Sequence, residues 1–496
     1  MFVITILNLY IVRLVLNGLG KTDFGIFNTI AGFVTTATIV NVVLAQSVQR
    51  FYSYAIGENH PERLREIFSA SVNIVVLLTV VILLFMETAG LWFFDTQLVI
   101  PDARTEAAQT IYHIALATLV CSLAQIPFTA AIFANEDINI FAVISTIDVA
   151  LKLVVACLIG TTSTDGLVFY CAGLLVVAMF TLSLYIVVAM RKYVECRYAH
   201  VTDREIYGKL LSFSGWTMLG SLSGIGMSQG NIILLDIVFG ALATVPFAIA
   251  QQINNAFNAL CNSMLLAFRP VMIKSYAAKQ FDYLNELFSA SNKFILYVLV
   301  AVGIPLFMEM RLILNLWLLD VSEQDVLFAR LIIVYIICMA MHNPVTVIMQ
   351  ASGNLKQYYL PVESITILCV PVTWLLFRLG LPPYSVFFAM IGTCLLAHLV
   401  RLLVLRHFYP PFSLWHYFST LVLPALVVVA LATIVAIAIH THIANDYARF
   451  AIVGISSPLS ICLIVYLFGI NSHERQQLRQ AFMRYRSVHK TNPEPC

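Results

Sequence analysis

Of 496 residues, 60% are hydrophobic and 11% are charged, and the formal net charge is +2. Soluble domains carry about a quarter charged residues, and no soluble core hides the apolar runs of about 20 residues that follow one another from Phe2 almost to Ile470. These features exclude an ordinary soluble enzyme and give no case for nucleic acid as a partner. The expected fold class is an all-α polytopic membrane protein. The ten cysteines are scattered, mostly in apolar runs such as "LATLVCSLAQ", and no Cys-x-x-Cys pair is present. They read as small buried hydrophobes rather than metal ligands or disulfides.

About fourteen transmembrane helices are expected, near residues 2–17, 27–49, 70–94, 108–133, 139–160, 166–190, 209–234, 241–267, 292–318, 330–350, 359–379, 384–405, 417–440 and 448–470. No small-residue cleavage site follows the first run, so it reads as a helix, and "LNGLGKTDFG" as a tight turn into the next. Glycines in "SGIGMSQGNIILLDIVFGALATVPF" blur the boundary inside 209–267. Basic residues gather in alternate loops: Arg50, Arg63 and Arg65; then Arg191, Lys192, Arg197, Arg204 and Lys209; then Arg269, Lys274 and Lys279. Lys356, Arg401, Arg406 and the tail from Arg475 to Lys490 fall on the same side, which places both termini in the cytoplasm.

"FSAS" occurs twice, at 68–71 and 288–291, each time after a short acidic–basic link and before a long apolar run. Upstream, "FYSYAIGE" at 51–58 matches "IKSYAAKQ" at 273–280 in its Ser-Tyr-Ala core. Links of the same orientation require an even number of spans per repeat, and six fits the separation. The expected organisation is therefore two parallel six-helix lobes, residues 1–197 and 198–406. Two additional helices at 407–470 and a basic cytoplasmic tail at 471–496 follow. Two such lobes enclose a cleft that opens alternately to each side, which points to a transporter.

Ionisable residues at bilayer depth are functional candidates by default. "STIDVALKLVV" sets Asp148 and Lys152 on one helical face, as an internal pair or a site. Arg13 either snorkels or lines a cavity; Arg50 closes the second span; Arg311 follows Glu309 near the outer interface. Gln251, Asn255, Asn258 and Asn262 fall at helical spacing and form a polar stripe that either glues helices or lines a wet cavity. Proline residues such as Pro127, Pro305 and Pro371 interrupt spans. "HTH" at 440–442 lacks a third ligand, and no phosphate-cradling glycine loop is present. No catalytic residue, metal or cofactor is expected.

"LYIVRLVLNGLGKTDFGIFNTIAGF" at 9–33, "VLAQSVQRFYSYAIGE" at 43–58 and "ILLDIVFGALATVPFAIAQQI" at 233–253 resemble the polysaccharide-biosynthesis flippases of the multidrug/oligosaccharidyl-lipid/polysaccharide exporter superfamily. The resemblance runs through residues 1–470. It implies a transporter of the bacterial cytoplasmic membrane that moves an undecaprenyl-diphosphate-linked oligosaccharide from the inner to the outer leaflet. Membrane lipids, a glycan polymerase and glycosyltransferases are the implied partners, with a monomeric transporter. By analogy, Arg13, Arg50, Lys152 and Arg311 would meet the diphosphate. The alternatives are an H⁺- or Na⁺-coupled multidrug exporter, with Asp148, Asp236 and Glu363 as its coupling candidates, and a scaffold for glycan assembly that transports nothing.

Overall fold

A computed structural model describes residues 2–35, 38–92, 104–161, 165–199, 201, 203–240, 243–318, 321–443 and 445–469. The basic tail expected at 471–496 lies outside the described residues. Among those described, every regular element is helical. The chain opens with α1 (Phe2–Thr35), α2 (Thr38–Gly57), α3 (Pro61–Phe85), α4 (Thr105–Ala124), α5 (Ile126–Ala134), α6 (Ile138–Leu158) and α7 (Gly166–Lys192). It continues through α8 (Arg204–Phe239), α9 (Thr244–Ala277), α10 (Phe281–Met308), α11 (Met310–Trp317), α12 (Glu323–Met339), α13 (His342–Ser352), α14 (Leu355–Arg378) and α15 (Ser385–Phe408). The described part closes with α16 (Leu414–Tyr417), α17 (Leu423–His442) and α18 (Asp446–Ile464).

Among the described residues, twelve helices are long and apolar enough to cross a membrane, with α4–α5, α12–α13 and α16–α17 each forming one span. α1 and α2 stand outside the twelve, and in α2 Asn41, Gln46, Gln49 and Arg50 dilute the apolar run. α1 is two helical segments that meet at a kink at Gly20, inside the "LNGLGKTDFG" expected to turn, and the φ of 77° there suits glycine and few other residues. α2 begins at Thr38, so the span expected at 27–49 is divided between the segment that follows the kink and α2.

Helix starts follow side-chain chemistry. Asp165 accepts from the Leu167 amide ahead of α7, and Asn445 accepts from the amides of Tyr447 and Ala448 ahead of α18. Ser322 and Asp325, from the acidic "VSEQD" link, form a reciprocal capping box on α12.

The two "FSAS" segments occupy equivalent local settings. After α2, the amides of Glu58, Asn59 and His60 reach the carbonyls of Tyr54, Ile56 and Ala55 at 3.0–3.1 Å. After α9, those of Ala278, Lys279 and Gln280 reach Lys274, Tyr276 and Ser275 at 2.8, 3.1 and 2.9 Å. Asn59 and Lys279 both take positive φ, at 60° and 58°. Downstream, Ser71 and Ser291 each donate to the carbonyl three residues earlier, Phe68 and Phe288. All these features repeat at an offset of 220 residues. The Ser-Tyr-Ala match, at 53 and 275, falls two residues out of that register.

The chain divides into two compact units. One comprises residues 1–222, 266–280 and 350–359; the other comprises 223–265, 281–349 and 360–496. The core of the first is built on Tyr52, Ile111, Tyr112, Leu123, Ile126 and Ile132, all under 2% exposed. Within it, the ends of α2 and α9 pack backbone to backbone, and Lys274 Nζ lies 2.6 Å from Glu136. A Cβ on Gly57 would sit 2.5 Å from the Lys274 carbonyl oxygen. Gly57→Ala should therefore cost about 1–3 kcal/mol and lower the thermal midpoint in detergent. Gly208→Ala, with open space around its Cβ, should hold or raise it.

Candidate functional site

α9 spans 34 residues, ~50 Å at 1.5 Å per residue, and so overreaches a hydrocarbon core of about 30 Å. Its middle has two faces. Ala250, Phe257, Cys261 and Leu265 are buried, whereas Gln252, Asn255, Asn258 and Asn262 are exposed. Gln251 donates to Ser228 Oγ at 2.7 Å, Asn254 to Gln251 Oε1 at 3.0 Å, and Asn258 to Asn254 Oδ1 at 3.1 Å. The expected stripe thus resolves into an amide ladder, Gln251–Asn254–Asn258, with Asn255 and Asn262 open beside it. Exposed amides cannot face hydrocarbon without losing their hydrogen bonds. At this depth the face requires water or a polar solute.

Arg50 is only 8% exposed. Its Nε donates to the Gln350 carbonyl at 3.0 Å and its Nη2 to the Ala351 carbonyl at 2.9 Å. Those are the last carbonyls of α13, where a cation is electrostatically favoured, and Gly353 follows with φ 80°. The guanidinium also lies over the rings of Phe51, Tyr54 and Phe213 at 4.6, 4.8 and 5.7 Å. Beside it opens a cavity of about 790 Å³ lined by Arg50, Tyr54, Lys209, Phe213, Trp216 and Lys356, among others. Basic and acidic residues are equally numerous in its wall, so it offers no strong field for a diphosphate.

The remaining candidates have partners of their own or stand alone. Lys152 Nζ lies 2.7 Å from Asp148 on α6, a partly exposed internal pair. Arg311 pairs with Glu323 at the surface, not with its neighbour Glu309. Glu309 is buried and receives His440 Nδ1 at 2.8 Å and Arg449 Nε at 2.9 Å. The "HTH" at 440–442 sits at the end of α17, where His440 joins Arg449 on Glu309. Asp236 is exposed near the end of α8, and Glu363 is buried in α14. The side chain of Arg13 lies outside the described residues.

Arg269 and Arg401, counted as loop cations from sequence, lie inside α9 and α15 and are 9% exposed each. His342 and His398 join the buried polar set. The signal for them was present: "LLAHLVRLLVL" sets His398 and Arg401 three residues apart in an apolar run. Among the described residues, no group of three or more His, Cys, Asp or Glu could hold a metal.

No family model and no curated protein matches the chain. Solved structures do. An outward-facing multidrug resistance MATE family transporter of the MOP superfamily superposes with TM-score 0.71 at 15% identity, over 82% of this chain and 93% of that one. MATE in the straight conformation gives TM-score 0.70 at 18% identity, over 82% and 93%. This chain has the MATE transporter fold. A MOP superfamily transporter from Pyrococcus furiosus, in which reverse polarity of the binding pocket suggests a different function, gives TM-score 0.67 at 17% identity, over 81% and 91%. What this chain shares with these structures is the fold of a polytopic helical membrane protein.

Two outcomes follow from the partner geometry. Arg50→Lys keeps the charge but cannot span both carbonyls, and should cost about 1.5–3 kcal/mol in a thermal melt. Lys152→Met should strand Asp148 and lower protein yield, and adding Asp148→Asn should restore it; a double variant that also transports normally removes Lys152 from the solute path.

Proposed function

We propose that the chain is a secondary transporter of a bacterial cytoplasmic membrane that exports amphipathic organic solutes, coupled to a proton or sodium gradient. The observation that carries this reading is the exposed amide face of α9 within a fold shared, over 82% of the chain, with multidrug transporters. Such a face offers many weak donors and acceptors to varied solutes. Cation coupling asks for embedded carboxylates, and Glu363, buried on α14, and Asp236, near the end of α8, suit that role better than Asp148, which Lys152 already neutralises.

The proposed organisation is two parallel six-helix lobes, 1–197 and 198–406, with two further helices at 407–470 and both termini cytoplasmic. Helix ends repeating at a 220-residue offset and the one-sided loop cations support it.

A second reading is translocation of an undecaprenyl-diphosphate-linked oligosaccharide, with membrane lipids around its tail and glycan-assembly enzymes as partners. The amide face favours it, since sugar hydroxyls pair well with Gln251, Asn255, Asn258 and Asn262. Against it, Arg50, Lys152 and Arg311 are each engaged by protein groups, and no basic cluster gathers for a diphosphate in the described cavity.

Reconstitution in liposomes tests both. The exporter reading expects gradient-driven accumulation of ethidium or tetraphenylphosphonium. Asn258→Leu and Asn262→Leu should each weaken it about fivefold, equivalent to about 1 kcal/mol per lost amide contact. Outer-leaflet exposure of a lipid-linked oligosaccharide, with no cation transport, would establish the second reading instead.

A further inference from the structure

The cavity of about 790 Å³ beside Arg50 lies within the first compact unit, where the end of α2 and the starts of α3, α8 and α14 line it. Its volume is that of a small-molecule site. The four acidic residues of its wall are of two kinds. Glu58 lies 3.9 Å from Arg63, and Glu205 lies 2.6 Å from Lys209, so each of these carries its own counter-charge. Glu66 and Asp203 are exposed, and among the described residues neither has a cationic partner. Asp203 accepts only the Glu205 amide, at 2.8 Å.

The donors of the wall converge differently. Arg50 is 8% exposed and gives Nε and Nη2 to the last carbonyls of α13, which leaves Nη1 without an acceptor among the described residues. That nitrogen is not sealed in apolar packing, and the residue lines the cavity. Lys356 and Gln357 line it too, and their amides are the second and third of α14, out of reach of any intrahelical carbonyl. Among the described residues no side chain caps them. Lys356 also brings an exposed ammonium with no ion pair. A guanidinium N–H, two orphan amides at the start of a long helix and a lysine together suit one phosphate group. Phe51, Tyr54, Phe213 and Trp216 give the same wall its apolar surface.

We propose that this cavity binds an ethanolamine phosphodiester, its phosphate on Arg50 Nη1, Lys356 and the α14 amides and its ammonium on Glu66 and Asp203. The charge count favours such a ligand. A wall with as many acids as bases repels a diphosphate as much as it attracts one, whereas a zwitterion answers both free cations and both free carboxylates. The same chemistry comes from two sources: the headgroup of phosphatidylethanolamine in the surrounding bilayer, or a soluble glycerophosphodiester. The site uses no residue of the amide ladder on α9, and binding there does not depend on what the chain transports.

Binding to the purified, delipidated protein in detergent tests this. Trp216 fluorescence reports it once Trp92, Trp317, Trp374 and Trp415 are replaced by Phe, and native mass spectrometry counts bound ester independently of the fluorophore. The probes are short-chain phosphatidylethanolamine, phosphatidylglycerol with the same chains, and glycerophosphoethanolamine. Phosphatidylethanolamine should bind saturably and about tenfold more tightly than phosphatidylglycerol, which lacks the ammonium. Lys356→Glu should weaken it about tenfold or more, whereas Arg406→Glu, an equal charge change at an exposed residue outside the wall, should not. Glu66→Gln combined with Asp203→Asn should lower phosphatidylethanolamine to the affinity of phosphatidylglycerol. All these positions are exposed, so thermal midpoints should match wild type. Comparable binding of glycerophosphoethanolamine supports the proposal with a soluble ligand, and binding of the lipid alone supports it with a membrane ligand. Binding of neither ethanolamine ester, equal affinity of wild type for phosphatidylglycerol, or unchanged affinity in Lys356→Glu overturns it.

Discussion

A polar group at bilayer depth must find a partner inside the protein or in water, and the architecture of this chain follows from how each one does so. Arg104 joins Asp23 of α1 to Asp165, the cap of α7. Glu309, between α10 and α11, receives His440 of α17 and Arg449 of α18, which pins the last two spans to an earlier one. Arg50 satisfies the terminal carbonyls of α13. In each case a lone polar group becomes a tie between segments distant in sequence. Apolar packing against neighbours fills the space between these ties but does not choose between registers as they do.

The amide face of α9 is the exception. Its buried side packs like any other helix, while Asn255, Asn258 and Asn262 stand exposed. A ladder of amides bonded along one helix is costly in lipid and natural beside water, because each carbonyl and NH₂ keeps spare hydrogen-bonding capacity. The cations read from sequence as ligands have protein partners: Arg50 binds the terminal carbonyls of α13, Lys152 pairs within α6, and Arg311 pairs at the surface.

Much of the fold was legible in sequence because apolar runs record span positions directly. The "FSAS" repeat was legible too, since its serines and its following helix recur at one offset. Its upstream companion was not, because Ser-Tyr-Ala matched by letters and fell two residues from the register that the backbone hydrogen bonds define. The break in α1 was legible as well, since "LNGLGKTDFG" reads as a turn and the two helical segments meet inside it at a glycine with φ 77°. Side-chain partners were the least legible. Glu309 lies two residues from Arg311 in sequence but pairs with Arg449, 140 residues away, and Arg401 reads as a loop cation until α15 is known to continue to Phe408. Pairings of this kind depend on which helices adjoin, and a single sequence does not state that.

The central claim is that α9 presents a hydrated, solute-accessible amide face inside the membrane. Single cysteines placed at positions 255, 258 and 262 in a cysteine-free background, reacted in intact membranes with a small water-borne thiol reagent, test it directly. The account predicts reaction at all three, slowed by tetraphenylphosphonium, and none at 257 or 265 on the buried face. Lack of reaction at 255, 258 and 262, as for a lipid-facing surface, would contradict it.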